Sequence, residues 1–428
     1  MTLVVASGRS HSHVIYPRDR QLPYRLVSTP HSLPAFVKAM DPLDPQSFTH
    51  KLSFVNGVNL REFGFWTLYD YVDEGRDVNG VVILCHGFPD VRYFPHFCSF
   101  FTLRTFLNLT PPALLALVYT PSLTCLRFGS LPLIEYTYQD APRCPPNSIA
   151  VYSWKNISTD IKELMDLLEI PRAIFIGHDW GGMIVWRMTQ WYPERVIAVA
   201  SFCTAYAPPS HVLHEIEEIL KVYPSFAYQA YFATDEAVKE LDSDPDLIFR
   251  IIHRTSRKGD TIPWFRSFPI FPHYRNPEPK HSILATRQEH DYYVDQYTRR
   301  GFHGGLNYYR TRRVNFDEEL GGWVVGCFLP RYVLIDLHPP KKEAGLSRQI
   351  DHPALMVGIR ACYQISPVTA GKDAAIRPRM AKDMPQHCTN LTMKHIQESG
   401  HWIMVEQTEA VNSILDEWLD TLKPKAKL

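Results

Sequence analysis

The chain is 428 residues long and 45% hydrophobic, enough for a sizeable core and one inserted subdomain. Lysine plus arginine equals aspartate plus glutamate at 45 each, so no net charge draws it to nucleic acid or an anionic membrane surface. The 8 cysteines are scattered without a Cys-x-x-Cys pair, which indicates neither a zinc ligand set nor a disulfide framework and fits a reducing, cytoplasmic setting.

Residues 1–39 are rich in Ser, His, Pro and Arg with no sustained period, and read as a disordered tail without a signal-peptide pattern. Lys51 to Asn56 and parts of the following segment are expected to form early strands. The apolar run from Pro112 to Leu126 is interrupted by Pro121 and falls short of the ~20 apolar residues that a membrane span takes. Val81–Cys85, Ala173–Ile176 and Val196–Ser201 are short, near-continuous apolar runs, as in parallel strands covered on both faces. Between them, Ser158–Leu168 carries Ile161, Leu164, Leu167 and Leu168 on one helical stripe. Met183–Tyr192 is a second predicted helix. From about Ala207 to Glu319 the pattern turns helical and aromatic, with proline-rich joints. Within it, the short basic run Arg310-Thr-Arg-Arg313 reads as a solvated helix end. Pro353–Val357 returns to the sheet, and Thr408–Leu422 has the pattern of a closing helix.

The stretch Ile174-Phe-Ile-Gly-His-Asp-Trp-Gly-Gly182 breaks a buried strand at a glycine-flanked polar residue and resumes as a helix. This is the Gly-x-Nu-x-Gly pattern of a nucleophile elbow, with Asp179 in the nucleophile position. A carboxylate there can displace a leaving group from a saturated carbon, and the resulting ester can then be hydrolysed. Val81-Val-Ile-Leu-Cys-His-Gly-Phe-Pro89 is another strand ending in a glycine-containing turn, able to aim backbone N–H groups at an oxyanion. Thr369-Ala-Gly-Lys-Asp373 and Gly400-His-Trp402 complete the chain order Asp179, Asp373, His401, which is the nucleophile–acid–base order of α/β hydrolases. Asp373 alone also suits a turn after Gly371. His86 and His178, beside the two turns, read as structural or pocket-lining.

With His86-Gly-Phe-Pro89, Gly177-His-Asp-Trp-Gly-Gly182, Thr369-Ala-Gly-Lys-Asp373 and Gly400-His-Trp402 in this order, the chain resembles the soluble epoxide hydrolases over most of 40–319 and 349–424. The resemblance implies a doubly wound, mostly parallel α/β-hydrolase sheet: core at 40–206, helical cap at 207–319, core again at 320–428. It also implies a pair of cap tyrosines facing the nucleophile. Tyr228, in Tyr228-Gln-Ala-Tyr-Phe232, and Tyr309, in Asn307-Tyr-Tyr-Arg310, match them. A phenol can hydrogen-bond the epoxide oxygen and protonate it as the ring opens. By the same resemblance His401 activates water, Asp373 orients His401, and the backbone N–H groups of Phe88 and Trp180 form the oxyanion hole. The implied activity is cofactor-independent and metal-free conversion of a small apolar epoxide to a vicinal diol, a detoxification chemistry, by a monomer or homodimer. The alternatives are a haloalkane or fluoroacetate dehalogenase, against which the tyrosine pair argues, and an inactive α/β-hydrolase-like binding protein.

Four segments depart from the family pattern, at about 61–69, 91–138, 321–344 and 358–368. Sequence on both sides of each fits the family while the piece itself does not, the mark of retained non-coding sequence or a frame error. Met40-Asp-Pro-Leu-Asp-Pro looks like a natural start. The stretch 91–138 lacks the expected strand and glycine-rich turn, and loss of a central strand would expose the edges of its neighbours. The insertion at 358–368 stands directly ahead of Asp373 and could move it from His401.

Overall fold

The computed structural model describes residues 49–55, 65–72, 80–89, 114–119, 146–167, 169–255, 267–320, 346–359, 378–396 and 399–422. All lie within the unit Asp41–Leu428. An eight-stranded sheet runs in the order β1-β2-β4-β3-β5-β6-β7-β8. Its strands are β1 (Thr49–Val55), β2 (Phe65–Val72), β3 (Gly80–Cys85), β4 (Leu114–Tyr119), β5 (Ala173–His178), β6 (Val196–Phe202), β7 (Ile350–Ile359) and β8 (Cys388–Ile396). β2 pairs antiparallel with β1 and β4, and every other pairing is parallel.

The expected gap in the sheet does not occur. Leu114–Tyr119, from within the departing segment, fills the slot between β2 and β3, with Ile83 opposite Leu117 and Cys85 opposite Tyr119. An apolar six-residue run can pair as a buried strand whatever its flanks. The piece at 61–69 likewise supplies the start of β2. Of 358–368, Gly358 and Ile359 end β7; the rest, and all of 321–344, lie outside the described residues.

The central strands alternate between two apolar layers, as their period of two requires. Val82, Leu84 and Ile176 point into one, together with cap residues and Val411, Leu415 and Trp418 of the last helix. Ile83, Cys85 and Phe175 point into the other, against Ile157, Ile161 and Leu164 of α1 (Trp154–Leu167) and Ile184, Val185 and Met188 of α2 (Trp180–Trp191). Both helices start about a turn earlier than their apolar periodicity predicts.

Between β6 and β7 the described residues carry the helices α3 (Ile216–Val222), α4 (Ala227–Phe232), α5 (Asp235–Ser243), α6 (Pro245–Ile252), α7 (Arg287–Arg300), α8 (His303–Leu306) and α9 (Arg312–Glu319). Thr234 and Asp244 cap α5 and α6 by accepting from backbone N–H groups, and a Thr286–Glu289 capping box starts α7. A buried ion pair, Arg187 Nε to Glu319 Oε1 at 2.7 Å, ties α2 to the end of this insertion. The chain closes with α10 (Ile403–Glu406) and α11 (Thr408–Asp420). Among the described residues, no helix is long and apolar enough to cross a membrane.

Candidate active site

Asp179 sits between β5 and α2 with φ 53° and ψ −124°, a conformation that non-glycine residues rarely adopt. The turn survives because its neighbours lack side chains. A Cβ on Gly177 would stand 2.3 Å from the carbonyl oxygen of Gly181, and one on Gly181 would stand 2.1 Å from that of Cys85. Thr204 Oγ1 donates to the Asp179 carbonyl at 2.6 Å and holds the turn from the side of β6. The Asp179 side chain is thereby projected past the ends of the central strands, where α/β sheets place their ligands.

The turn after β3 reaches the same point. The backbone N–H of Phe88 donates to Asp179 Oδ1 at 3.0 Å, and that of Trp180 is near enough to help stabilise this carboxylate. Gly87 makes the approach possible, since a Cβ there would fall 2.3 Å from Asp179 Oδ1. Burial pushes the Asp179 carboxyl above the usual carboxylate range. The imidazoles of His401 and His178 and the two N–H donors oppose that rise without cancelling it.

His401 is buried in the turn before α10, and its Nε2 lies 3.5 Å from Asp179 Oδ2. Its carbonyl lies 2.9 Å from His178 Nε2, and the two rings are 4.8 Å apart. His178 thus braces the loop that carries His401. Glu406 braces it from the other side: Oε1 accepts from the Gly400 N–H at 2.9 Å and Oε2 from Thr255 Oγ1 at 2.9 Å. Asp373 lies outside the described residues.

The two tyrosines come from separate parts of the insertion, Tyr228 from α4 and Tyr309 from the 3₁₀ turn Asn307–Tyr309. Their rings are 6.0 Å apart. Tyr309 also packs edge-on against Phe88 at 5.8 Å and Trp180 at 5.3 Å. Burial, with Tyr228 and Asp179 nearby, holds the Tyr309 phenol well above its ordinary pKa, so it stays a proton donor. The indole N–H of Trp180, a donor only, is near enough to the Tyr309 oxygen to oppose part of that rise. Gln229 Nε2 contacts the Tyr228 hydroxyl at 3.4 Å in the same sense. Both contacts use acceptor capacity of the phenolic oxygens, so neither takes up an O–H.

Arg310 is a correction to the sequence reading. It is no solvated helix end but a strap between the two tyrosine-bearing segments. Its Nε donates to the Ala233 carbonyl and its Nη2 to that of Thr234, each at 2.9 Å, and its side chain is 16% exposed. Arg313, by contrast, is exposed and pairs with Asp317.

A mostly parallel eight-stranded sheet between helical layers, a strained elbow after β5 and a helical insertion after β6 define the α/β hydrolase fold. The chain matches the family described as alpha/beta hydrolase fold over residues 134–258, and its homologues are epoxide hydrolases. It is 32% identical to Bifunctional epoxide hydrolase 2 of Mus musculus over 341 residues, covering 79% of this chain and 51% of that protein. It thus spans about half the length of that relative. Over 278 residues it is 29% identical to Epoxide hydrolase A of Mycobacterium tuberculosis, covering 63% of this chain and 75% of that one. Among solved structures, Epoxide Hydrolase A from Mycobacterium thermoresistibile is similar with a TM-score of 0.56 at 24% identity, over 87% of this chain and 98% of that one. That last likeness concerns the fold alone.

Proposed function

We propose that this chain hydrolyses a small apolar epoxide to a vicinal diol through an ester on Asp179. The observation that carries the reading is the division of labour at one carboxylate. Oδ1 is held by the Phe88 N–H, while Oδ2 is 3.5 Å from His401 Nε2. Close to the carboxylate, Tyr309 keeps its proton beside Tyr228.

In the first step Oδ2 attacks an epoxide carbon and the C–O bond breaks. The leaving oxygen takes a proton from Tyr309 or Tyr228, help worth ~10²–10⁴-fold. In the second step His401 takes a proton from water, whose oxygen adds to the carbonyl carbon of the ester. The negative charge that develops on Oδ1 is already faced by backbone N–H donors. Collapse expels the diol oxygen, which is protonated by the imidazolium, and the proton left on the Asp179 carboxyl returns to the tyrosinate formed in the first step, which restores both carboxylate and phenol. Asp373 would orient and stabilise His401 in this scheme. Every group required is a side chain or backbone amide of the chain, so the reaction asks for no cofactor. Among the described residues Cys85 and Cys388 are buried thiols outside any disulfide, which supports a reducing compartment such as the cytoplasm.

The test is turnover of an aryl epoxide in heavy-oxygen water, followed by mass analysis of the peptide containing Asp179. The scheme requires solvent oxygen to enter that peptide and the first diol formed to carry an oxygen from Asp179. Diol accumulating while the peptide keeps its mass would overturn it. A haloalkane assayed in parallel should release no halide.

A further inference from the structure

We propose that His178, Cys203 and His401 form a site for a soft divalent cation, with Zn²⁺ the best fit, and that filling it silences the enzyme. The spacing of the cysteines gives no hint of this, because the fold alone brings the three residues together. His178 ends β5 and stands opposite Phe202 at the end of β6, so Cys203 is one residue beyond its partner. His401 enters from the turn before α10. One donor atom from each lies within 4.8 Å of the other two, and all three residues are buried.

Three features suit the cluster to a metal. The donor set, two imidazoles and one thiol, is of the kind that zinc takes. The tautomer of His178 is settled by its neighbour. Its Nε2 lies 2.9 Å from the His401 carbonyl, and a carbonyl only accepts, so Nε2 carries the hydrogen. Nδ1 therefore holds the lone pair, and the carbonyl is the outer partner that ligating histidines ordinarily have. Finally, the backbone fixes Cys203 in place: its φ is 57° and its N–H donates to the Val357 carbonyl at 3.1 Å. Tetrahedral zinc separates its ligand atoms by roughly 3.5 Å, so the side chains must close in by about an ångström. On binding, the Cys203 thiol proton passes to solvent as the sulfur–metal bond forms.

Occupancy removes the lone pair of His401 and sets a cation beside Asp179, so both groups of the proposed reaction are withdrawn together. The silencing rests on the epoxide hydrolase reading; the metal site itself does not.

The experiment uses the full chain, stripped of metal by chelator and titrated first with Co²⁺. One equivalent should produce a thiolate-to-cobalt charge-transfer band, which one equivalent of Zn²⁺ removes. The same Zn²⁺ should stop diol formation, and chelator should restore it. Cys203→Ser, and Cys203→Asn, which tolerates the left-handed backbone, should turn over normally without metal. Both should lack the band and need at least about tenfold more free Zn²⁺ for inhibition. No band from the unaltered chain, or a band kept by both variants, overturns the site. A band that obeys these expectations in a chain with no epoxide turnover supports the site and overturns the catalytic reading instead.

Discussion

The backbone N–H of Phe88 donates to Asp179 Oδ1 across 91 positions of sequence, at 3.0 Å. This contact distinguishes the two oxygens of one carboxylate. The bound oxygen sits where charge would develop during ester hydrolysis, and its twin is left toward His401. The same contact closes the strained elbow against the turn after β3, so strain and the proposed reactivity meet in a single residue.

Replacing Asp179 with Asn separates these effects. Activity should fall at least about 10⁴-fold, as when other nucleophiles are removed. Stability should move the other way. The folded-state pKa of Asp179 lies above its unfolded value, so the folded protein holds this proton more tightly. Stability is then highest below the unfolded pKa and declines as pH rises through the interval between the two values. Above that interval the wild type carries the cost of a half-buried charge, which Asn does not, while the amide oxygen can still accept from Phe88. Urea melts from pH 4 to 8 should show Asp179→Asn more stable than wild type at neutral pH, with the advantage shrinking toward acid. A constant difference would refute this origin.

The tyrosines give a second pH signature. Because Tyr309 titrates well above 10, kcat/KM should show no alkaline loss from this phenol below about pH 10. On the acid side activity should decline as Asp179 becomes protonated, at a pH above the usual carboxylate range. Tyr309→Phe should lower kcat by ~10²-fold or more, and Tyr228→Phe should lower it as well. The double variant should lose less than the product of the single losses, since in the proposed reaction both phenols serve one oxygen. Steady-state kinetics on an aryl epoxide measures all three.

What the chain reveals by pattern alone follows from how local each signal is. The elbow at Asp179 is a contiguous motif whose glycines have steric reasons, and the buried strands β3, β5 and β6 are apolar runs with both faces covered. β8 escaped notice because it is an edge strand. Only its ends, Cys388 and Ile396, are buried, while Thr389 and Asn390 face solvent. β4 was hidden among prolines, with no alternation to mark it. The strap at Arg310 has no local signature, because its partners are backbone carbonyls more than 70 residues away. Contacts of that kind are set by the folded chain, and residue type alone does not announce them.

His401→Gln should split the two chemical steps. The proposed alkylation needs Asp179 and a phenol, whereas hydrolysis of the ester needs the imidazole. Mixing the variant with epoxide should give one rapid equivalent of consumption and then a steady rate reduced by ~10³-fold or more. The Asp179 peptide should gain the mass of one substrate molecule. Complete loss of the rapid phase would instead place His401 in the first step.

Arg310 supplies the last test, since its role is geometric. It bonds the carbonyls of Ala233 and Thr234, just after the helix of Tyr228, while adjoining Tyr309 in sequence. Removing it leaves buried or half-buried carbonyls without a charged donor, at a cost of ~1–3 kcal/mol in stability. It also frees the two phenols to drift, and a displacement of ~1 Å can cost ~10²-fold in rate. Arg310→Ala should therefore lower both melting temperature and kcat. Arg310→Lys keeps the charge but not the fork, and should recover stability more fully than turnover. Arg313→Ala, an exposed control on the neighbouring helix, should change neither by much. If Arg310→Lys restored kcat completely, charge alone would suffice and the strap would have no role in placing the tyrosines.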